Sequence, residues 1–198
     1  MLREWILREG QVLGPEFLRV DGFLNHRIAP AFIEAVGEQL AARFATTDVT
    51  CVLTAEAAGN ILAYELARRV GARALYAKKG KTATMTRPIT RTVLSPTKGT
   101  KAELAVSRDY LSPGDRVLVV DDFLYLGKTS AALADIVGES GATLVGFGFV
   151  IEKQFARGRD ALEPYGVPVV ALVSIVSMDP DSGAIAFGEA DGPSEAGS

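Results

Sequence analysis

A single cysteine and a single histidine stand among 198 residues. One cysteine excludes an internal disulfide framework and any multi-cysteine zinc or iron–sulfur site. One histidine excludes paired-histidine metal motifs and leaves His26 as the only histidine available to a catalytic triad. No stretch reaches the roughly 18 uninterrupted apolar residues of a membrane span, so no membrane partner is expected. The opening Met1-Leu2-Arg3-Glu4-Trp5 interrupts its apolar residues with charge and lacks the core of a signal peptide. A reducing, cytoplasmic setting is therefore expected, with Cys51 a small buried hydrophobe in the run Val49–Thr54. Excess charge of one sign is missing too: 21 Lys+Arg face 24 Asp+Glu, a net charge of -3. That balance supplies no global field for nucleic acid, and none is expected as a partner. The chain does have enough apolar residues, 48%, to build a core at ordinary charge content, 23%.

Breakers and periodicity divide the chain. Residues 1–27 hold a short amphipathic helix through about Arg8, then Gly10, Gly14-Pro15 and Asp21-Gly22. Pro30 opens a helix to about Phe44, with Phe32, Val36, Leu40 and Phe44 on one face. Val49–Glu56 reads as a strand, Gly59–Val70 as a helix stopped by Gly71, and Ala72–Lys79 as a strand. From Gly80 to Lys101 periodicity stops, and Thr, Lys, Arg, Pro and Gly dominate. A segment this long inside a domain suggests a functional loop. Leu104–Ser107 reads as its returning strand. Arg116–Val120 is an apolar run suited to a strand covered on both faces. Thr129–Glu139 is a helix, and Ala142–Lys153 and Val167–Ile175 are strands with a helical turn near Asp160–Pro164 between them. Alternating strand and helix predicts one α/β domain over 1–198 with a mostly parallel central sheet flanked by helices. The small, acidic residues 188–198 are expected to fray.

The strongest chemical signal is Val117-Leu118-Val119-Val120-Asp121-Asp122-Phe123-Leu124-Tyr125-Leu126-Gly127-Lys128-Thr129-Ser130. Parallel strands deliver ligands to their carboxyl ends. A loop with glycine before a helix N-terminus offers backbone N–H groups to a phosphate. Two carboxylates beside it suit ribose hydroxyls, or Mg²⁺ held through water. A Walker-type phosphate loop is excluded, because Asp122 stands where that motif needs its first glycine. An ordinary strand–turn–helix with a capping Asp or Thr is the plain alternative.

This segment resembles the phosphoribosyl-diphosphate (PRPP) signature of the type I phosphoribosyltransferases. Leu18-Arg19-Val20-Asp21-Gly22-Phe23-Leu24-Asn25-His26 resembles the N-terminal base-recognition hood of the bacterial xanthine phosphoribosyltransferase family. Val150–Phe155 and Gly158-Arg159-Asp160 are similar to that family's later strand and loop. The resemblance runs to about Phe187. It implies the type I fold with a hood over 1–27 and a flexible lid over 80–101. It implies transfer of phosphoribosyl from PRPP to xanthine, giving XMP, with Mg²⁺ and a homodimer.

Carried onto this chain, the resemblance assigns Tyr125, Leu126, Gly127, Lys128 and Thr129 to the 5-phosphate, and Asp121 and Asp122 to the ribose diol. It assigns Ala58 and Gly59 to the diphosphate, and Leu18, Asn25 and Lys153 to the purine; the Asn25 amide can donate to the C2 oxygen or, flipped, accept. No direct protein ligand to Mg²⁺ is implied. Lys78, Lys79, Lys81, Lys98 and Lys101 bracket the lid, and Lys79 is assigned to charge neutralisation at the leaving group. Tyr125 and Leu126 depart from the small or polar residues usual in the family's loop. Two rivals remain: another purine salvage transferase, for hypoxanthine/guanine or adenine, and a PRPP-sensing regulator on the same fold. A repressor of that kind needs a DNA-binding module, for which residues 1–27 are short and not basic.

Overall fold

Val117, Leu118, Val119 and Val120 are all fully buried, which requires cover on both faces of their strand. The computed structural model, which describes residues 1–94, 101–189 and 191, supplies that cover. Its central sheet contains β3 (Cys51–Ala55), β4 (Arg73–Lys79), β5 (Pro88–Leu94), β6 (Lys101–Ser107), β7 (Arg116–Leu124), β8 (Thr143–Lys153), β9 (Val169–Met178) and β10 (Ile185–Phe187). These lie in the order β10-β9-β8-β7-β3-β4-β6-β5. The run from β9 to β4 is parallel, and β10, β6 and β5 are antiparallel additions at the two edges.

The two-residue period of the strands sorts the core into two layers. Val52, Leu118 and Val120 face α1 (Leu2–Glu9), α2 (Pro30–Arg43) and α3 (Asn60–Val70). Cys51, Leu53, Val117 and Val119 face α4 (Lys128–Ser140) and the β5–β6 hairpin. Pro30 sits in the first turn of α2, where its missing N–H costs no helical bond. Gly71 and Gly141 end α3 and α4 in the left-handed conformation.

Residues 1–27 pack on the first layer. They comprise α1, the paired strands β1 (Gln11–Val12) and β2 (Leu18–Arg19), and a π-helical turn over Asp21–Asn25. Phe32 of α2 joins them, meeting Trp5 at 5.4 Å and Phe23 at 4.9 Å, both edge-on. Phe32→Ala should cost about 3–5 kcal/mol and loosen this whole segment.

Three sequence expectations need correction. Pro88–Leu94 is a strand paired residue for residue with Lys101–Ser107, so the expected loop over 80–101 is interrupted by a hairpin arm. The reason is alternation: Ile89 is buried against α4, and Arg91, two residues on, reaches Glu139 of α4 at 2.7 Å. Lys98 lies outside the described residues. Second, β7 continues four residues past Val120, because Phe123 and Leu124 pair with Ile151 and Glu152 of β8. The two aspartates thus stand within the strand, not after it. Third, fraying from residue 188 does not hold at Gly188 and Asp191. Gly188 N–H donates to the Ser174 carbonyl at 2.9 Å, and the Asp191 carboxylate accepts from Arg159 at 2.6 Å.

Candidate active site

Chain order reverses about β3. From it the chain moves to β4 on one side and later to β7 on the other. The carboxyl ends of β3 and β7 therefore flank a topological switch point, where open α/β sheets bind ligands. Both loops singled out in the sequence lie there.

On the β7 side, Gly127 precedes α4 with φ 70° and ψ −6°. That left-handed conformation suits glycine. A Cβ at Gly127 would also collide with the carbonyl oxygen of Gly158. The turn and the first residues of α4 line a cavity of about 310 Å³ with Tyr125, Leu126, Gly127, Lys128, Thr129 and Ser130, and a helix N-terminus carries N–H groups free to meet an anion. The same cavity is lined by Asp121, Phe123, Lys153, Glu16 and Phe17. The expected phosphate loop and the expected base lysine thus share one space.

Lys153 ends β8 between two rings, its Nζ lying 4.9 Å from the centre of Phe123 and 5.2 Å from that of Tyr125. It donates to the Glu16 carbonyl at 2.6 Å. Burial pulls its ammonium below the usual lysine range, while the charges of Glu16 and Asp122 oppose this. Tyr125 hydroxyl donates to the Glu16 carboxylate at 2.6 Å. That bond, then burial, raises the phenol above its ordinary value. Glu16 ties the hood to both the phosphate loop and the lysine.

Burial pushes the Asp121 carboxyl well above the carboxylate range, and the adjacent Asp122 charge pushes it further. The Lys79 cation pulls the other way. Asp122 accepts from the Asn25 amide at 2.8 Å, so this expected donor to a base is engaged by an acid. Leu18 packs into the first core layer, 8% exposed, and its neighbours Glu16 and Phe17 line the cavity instead.

On the β3 side, Glu56 carboxylate accepts from the Lys79 backbone N–H at 2.6 Å. This joins the ends of β3 and β4 and keeps Lys79 near Asp121. Ala58 and Gly59 precede α3. Gly59 packs directly on Thr54, and a Cβ there would overlap the Thr54 hydroxyl and lie 3.3 Å from Asp121 Oδ1. The buried Thr54 Oγ1 and Asn60 Oδ1 have no hydrogen-bond partner among the described residues.

Residues 26–181 match the model of the phosphoribosyl transferase domain family. The chain is a phosphoribosyltransferase. Among its relatives is the xanthine phosphoribosyltransferase of Heliobacterium modesticaldum, 43% identical, the alignment covering 90% of this chain and 95% of the relative. Another is that of Streptococcus agalactiae serotype Ia, 40% identical over 96% and 98%. Among solved structures, the adenine phosphoribosyltransferase of Rhodothermus marinus superposes with a TM-score of 0.72 at 26% identity, covering 87% of this chain and 98% of that one. That of Trypanosoma brucei gives 0.74 at 18%, over 87% and 79%, a likeness of fold alone.

The α/β fold expected from the sequence is that of the phosphoribosyltransferases. Two features of this phosphoribosyltransferase escaped sequence reasoning. Glu16 carries no local signal, since a lone carboxylate beside Pro15 reads as a surface turn. Gly158 sits in a segment recognisable by resemblance, but nothing in its spacing says that it touches Gly127. Among the described residues no cluster of three or more His, Cys, Asp or Glu is placed to hold a metal. The paired Asp121 and Asp122 are hard oxygen acceptors and fit a Mg²⁺ held at one remove, through its water ligands, with substrate oxygens as its direct ligands. Among the described residues, no helix is long and apolar enough to cross a membrane.

Proposed function

We propose that this phosphoribosyltransferase moves the phosphoribosyl group of PRPP to N9 of xanthine, releasing XMP and diphosphate in purine salvage. The observation that carries the reading is the union, in one 310 Å³ cavity, of a helix-N-terminal anion nest and the cation Lys153. Near-end-to-end relatedness to proteins named xanthine phosphoribosyltransferase selects the base.

Each part then has a task. The backbone of Tyr125–Thr129 holds the 5-phosphate, with Thr129 adding a hydroxyl. Asp121 and Asp122 accept from the ribose hydroxyls, and Asn25 holds Asp122 in place from the hood. Breaking the C1–diphosphate bond builds positive charge on the ribose, as in glycosyl transfer. The carboxylates beneath the ring stabilise that charge. Negative charge grows on the departing diphosphate, which the backbone of Ala58 and Gly59 receives while Lys79 supplies a cation. Asp121 and Asp122 would hold Mg²⁺ through water, and when bound it supplies further charge neutralisation to the diphosphate.

Lys153 selects the base. Xanthine carries oxygen at C2 where guanine carries an amine, and it becomes anionic more readily. A half-buried ammonium favours that oxygen and that charge, and adenine leaves it unpaired. The active form is a cytoplasmic homodimer.

The test is diphosphate release from PRPP with xanthine, guanine, hypoxanthine and adenine in parallel. Xanthine should have the highest kcat/KM. A higher value for another base reassigns the substrate. PRPP binding without turnover of any base points to the sensing regulator.

A further inference from the structure

The segment that follows Lys153 lies on the back of the phosphate loop. The fit is backbone against backbone: a Cβ at Gly158 would overlap the carbonyl oxygen of Tyr125 and come 2.8 Å from Leu124, just as one at Gly127 would overlap the carbonyl of Gly158. Two glycines therefore let the two backbone segments touch with no side chain between them.

The segment is fixed at two points. Tyr165 donates its hydroxyl towards Ala131 and Asp135 of α4, 2.8 Å from each. Arg159 makes a bidentate pair with Glu152, 2.7 Å on both arms. Its guanidinium also donates to the Val169 carbonyl at 3.0 Å and to Asp191 at 2.6 Å. Glu152 is 3% exposed and accepts a further bond from Ser174. A fork-to-fork pair this well satisfied fixes direction as well as distance. Removing one partner strands a buried charge. Glu152 immediately precedes Lys153, so the pair also anchors the end of β8 that carries the lysine.

We propose that Arg159 and Glu152 are positioning residues for the phosphate site: their pair presses Gly158 onto the Tyr125–Gly127 backbone and sets the N–H groups of the nest at the height the 5-phosphate requires. This rests on the reading of Tyr125–Thr129 as the phosphate loop. An anion nest depends on the direction of its N–H groups, and a misplacement of about 1 Å can cost on the order of 100-fold. Asp191 also accepts from the guanidinium and so joins the same fixture.

The experiment measures ribose 5-phosphate binding by calorimetry and KM for PRPP in Arg159→Ala, Glu152→Gln and Gly158→Ala. Gly158→Ala leaves the ion pair intact and disturbs only the backbone contact. All three should weaken ribose 5-phosphate about 10- to 100-fold and raise the PRPP KM in step, and Arg159→Lys should recover only part of the loss. Asp160→Ala, which removes the exposed pair with Arg157 of the same segment, should bind like the wild type. Wild-type affinity in folded Arg159→Ala, or in Gly158→Ala, overturns the proposal, and Gly158→Ala decides should the charge variants fail to fold. The probe carries no base, so a wrong choice of purine leaves the result intact. A wild type that does not bind ribose 5-phosphate overturns both the proposal and the phosphate-loop reading.

Discussion

The two loops that flank the switch point are built on opposite plans. The β7 loop is braced from outside: Gly158 lies against its backbone, and Tyr125 is tied to Glu16. The β3 loop is braced at its entry, where Glu56 accepts from Lys79 N–H, and at Gly59, which packs on the Thr54 side chain. Beneath it Thr54 and Asn60 keep buried oxygens without partners among the described residues. The Thr54 hydroxyl can donate to an anion, whereas the Asn60 amide oxygen only accepts and is satisfied by bridging water. The first loop is thus set before substrate arrives, as suits a phosphate that stays attached throughout. The second keeps the unpaired Thr54 hydroxyl as a side-chain donor beneath it, and the diphosphate, which brings acceptors only, must enter and leave over it. Tight binding belongs on the side that keeps its cargo.

The strongest way to break this comparison is to remove the acids between the loops. Asp121→Asn with Asp122→Asn should lower kcat/KM by about 100-fold or more, because two charge-assisted hydrogen bonds of about 1.5–3 kcal/mol each are lost. Circular dichroism should show the fold retained.

Next come the glycines of the two loops. Gly127→Val forces a branched side chain into the left-handed region and against Gly158, so the PRPP KM should rise about tenfold or more. Gly59→Ala presses on Thr54, which can turn away, so the increase should be smaller and should appear equally in product inhibition by diphosphate. An equal loss of ribose 5-phosphate affinity in both variants would erase the distinction between the loops.

A stability experiment sharpens the account. The folded Asp121 carboxyl titrates well above its unfolded value. Such a group costs nothing below its unfolded pKa, costs progressively more as pH rises between the two values, and costs its full amount above the folded one. Asp121→Asn should therefore raise Tm, with the gain larger at pH 8 than at pH 5, while activity falls. A gain that shrinks as pH rises would reverse the sign of the argument. The smallest effect expected is from Tyr125→Phe, which removes the exposed bond to Glu16 and should cost stability by about 1 kcal/mol or less in urea denaturation.

How much of this was legible before the structure differs by region. The β7 loop was readable because a four-residue apolar run, two acids and a glycine before a helix follow in unbroken sequence. The helices and parallel strands were readable from period and breakers, as at Pro30 and Gly71. The β5 strand was hidden because Thr and Arg occupy its alternating positions, and Arg91 is accommodated by Glu139 and Asp135 on a distant helix. The hood's contribution was displaced rather than lost: Leu18 was expected at the base and packs in the core, while Glu16 lines the cavity. Contacts such as Gly158 on Gly127 join segments about thirty residues apart, and no local pattern encodes them.

The central claim is that one cavity holds the phosphate and that Lys153 within it chooses the base. The direct measurement is the ratio of kcat/KM for xanthine to that for guanine in the wild type and in Lys153→Ala, each from one preparation. A loss of stability or of PRPP binding cancels in the ratio. The account predicts a ratio well above one in the wild type, falling by about 10- to 100-fold in the variant as a charge-assisted bond of roughly 1.5–3 kcal/mol disappears. An unchanged ratio, with both bases losing equally, would contradict it and leave Lys153 as a part of the site wall that does not select.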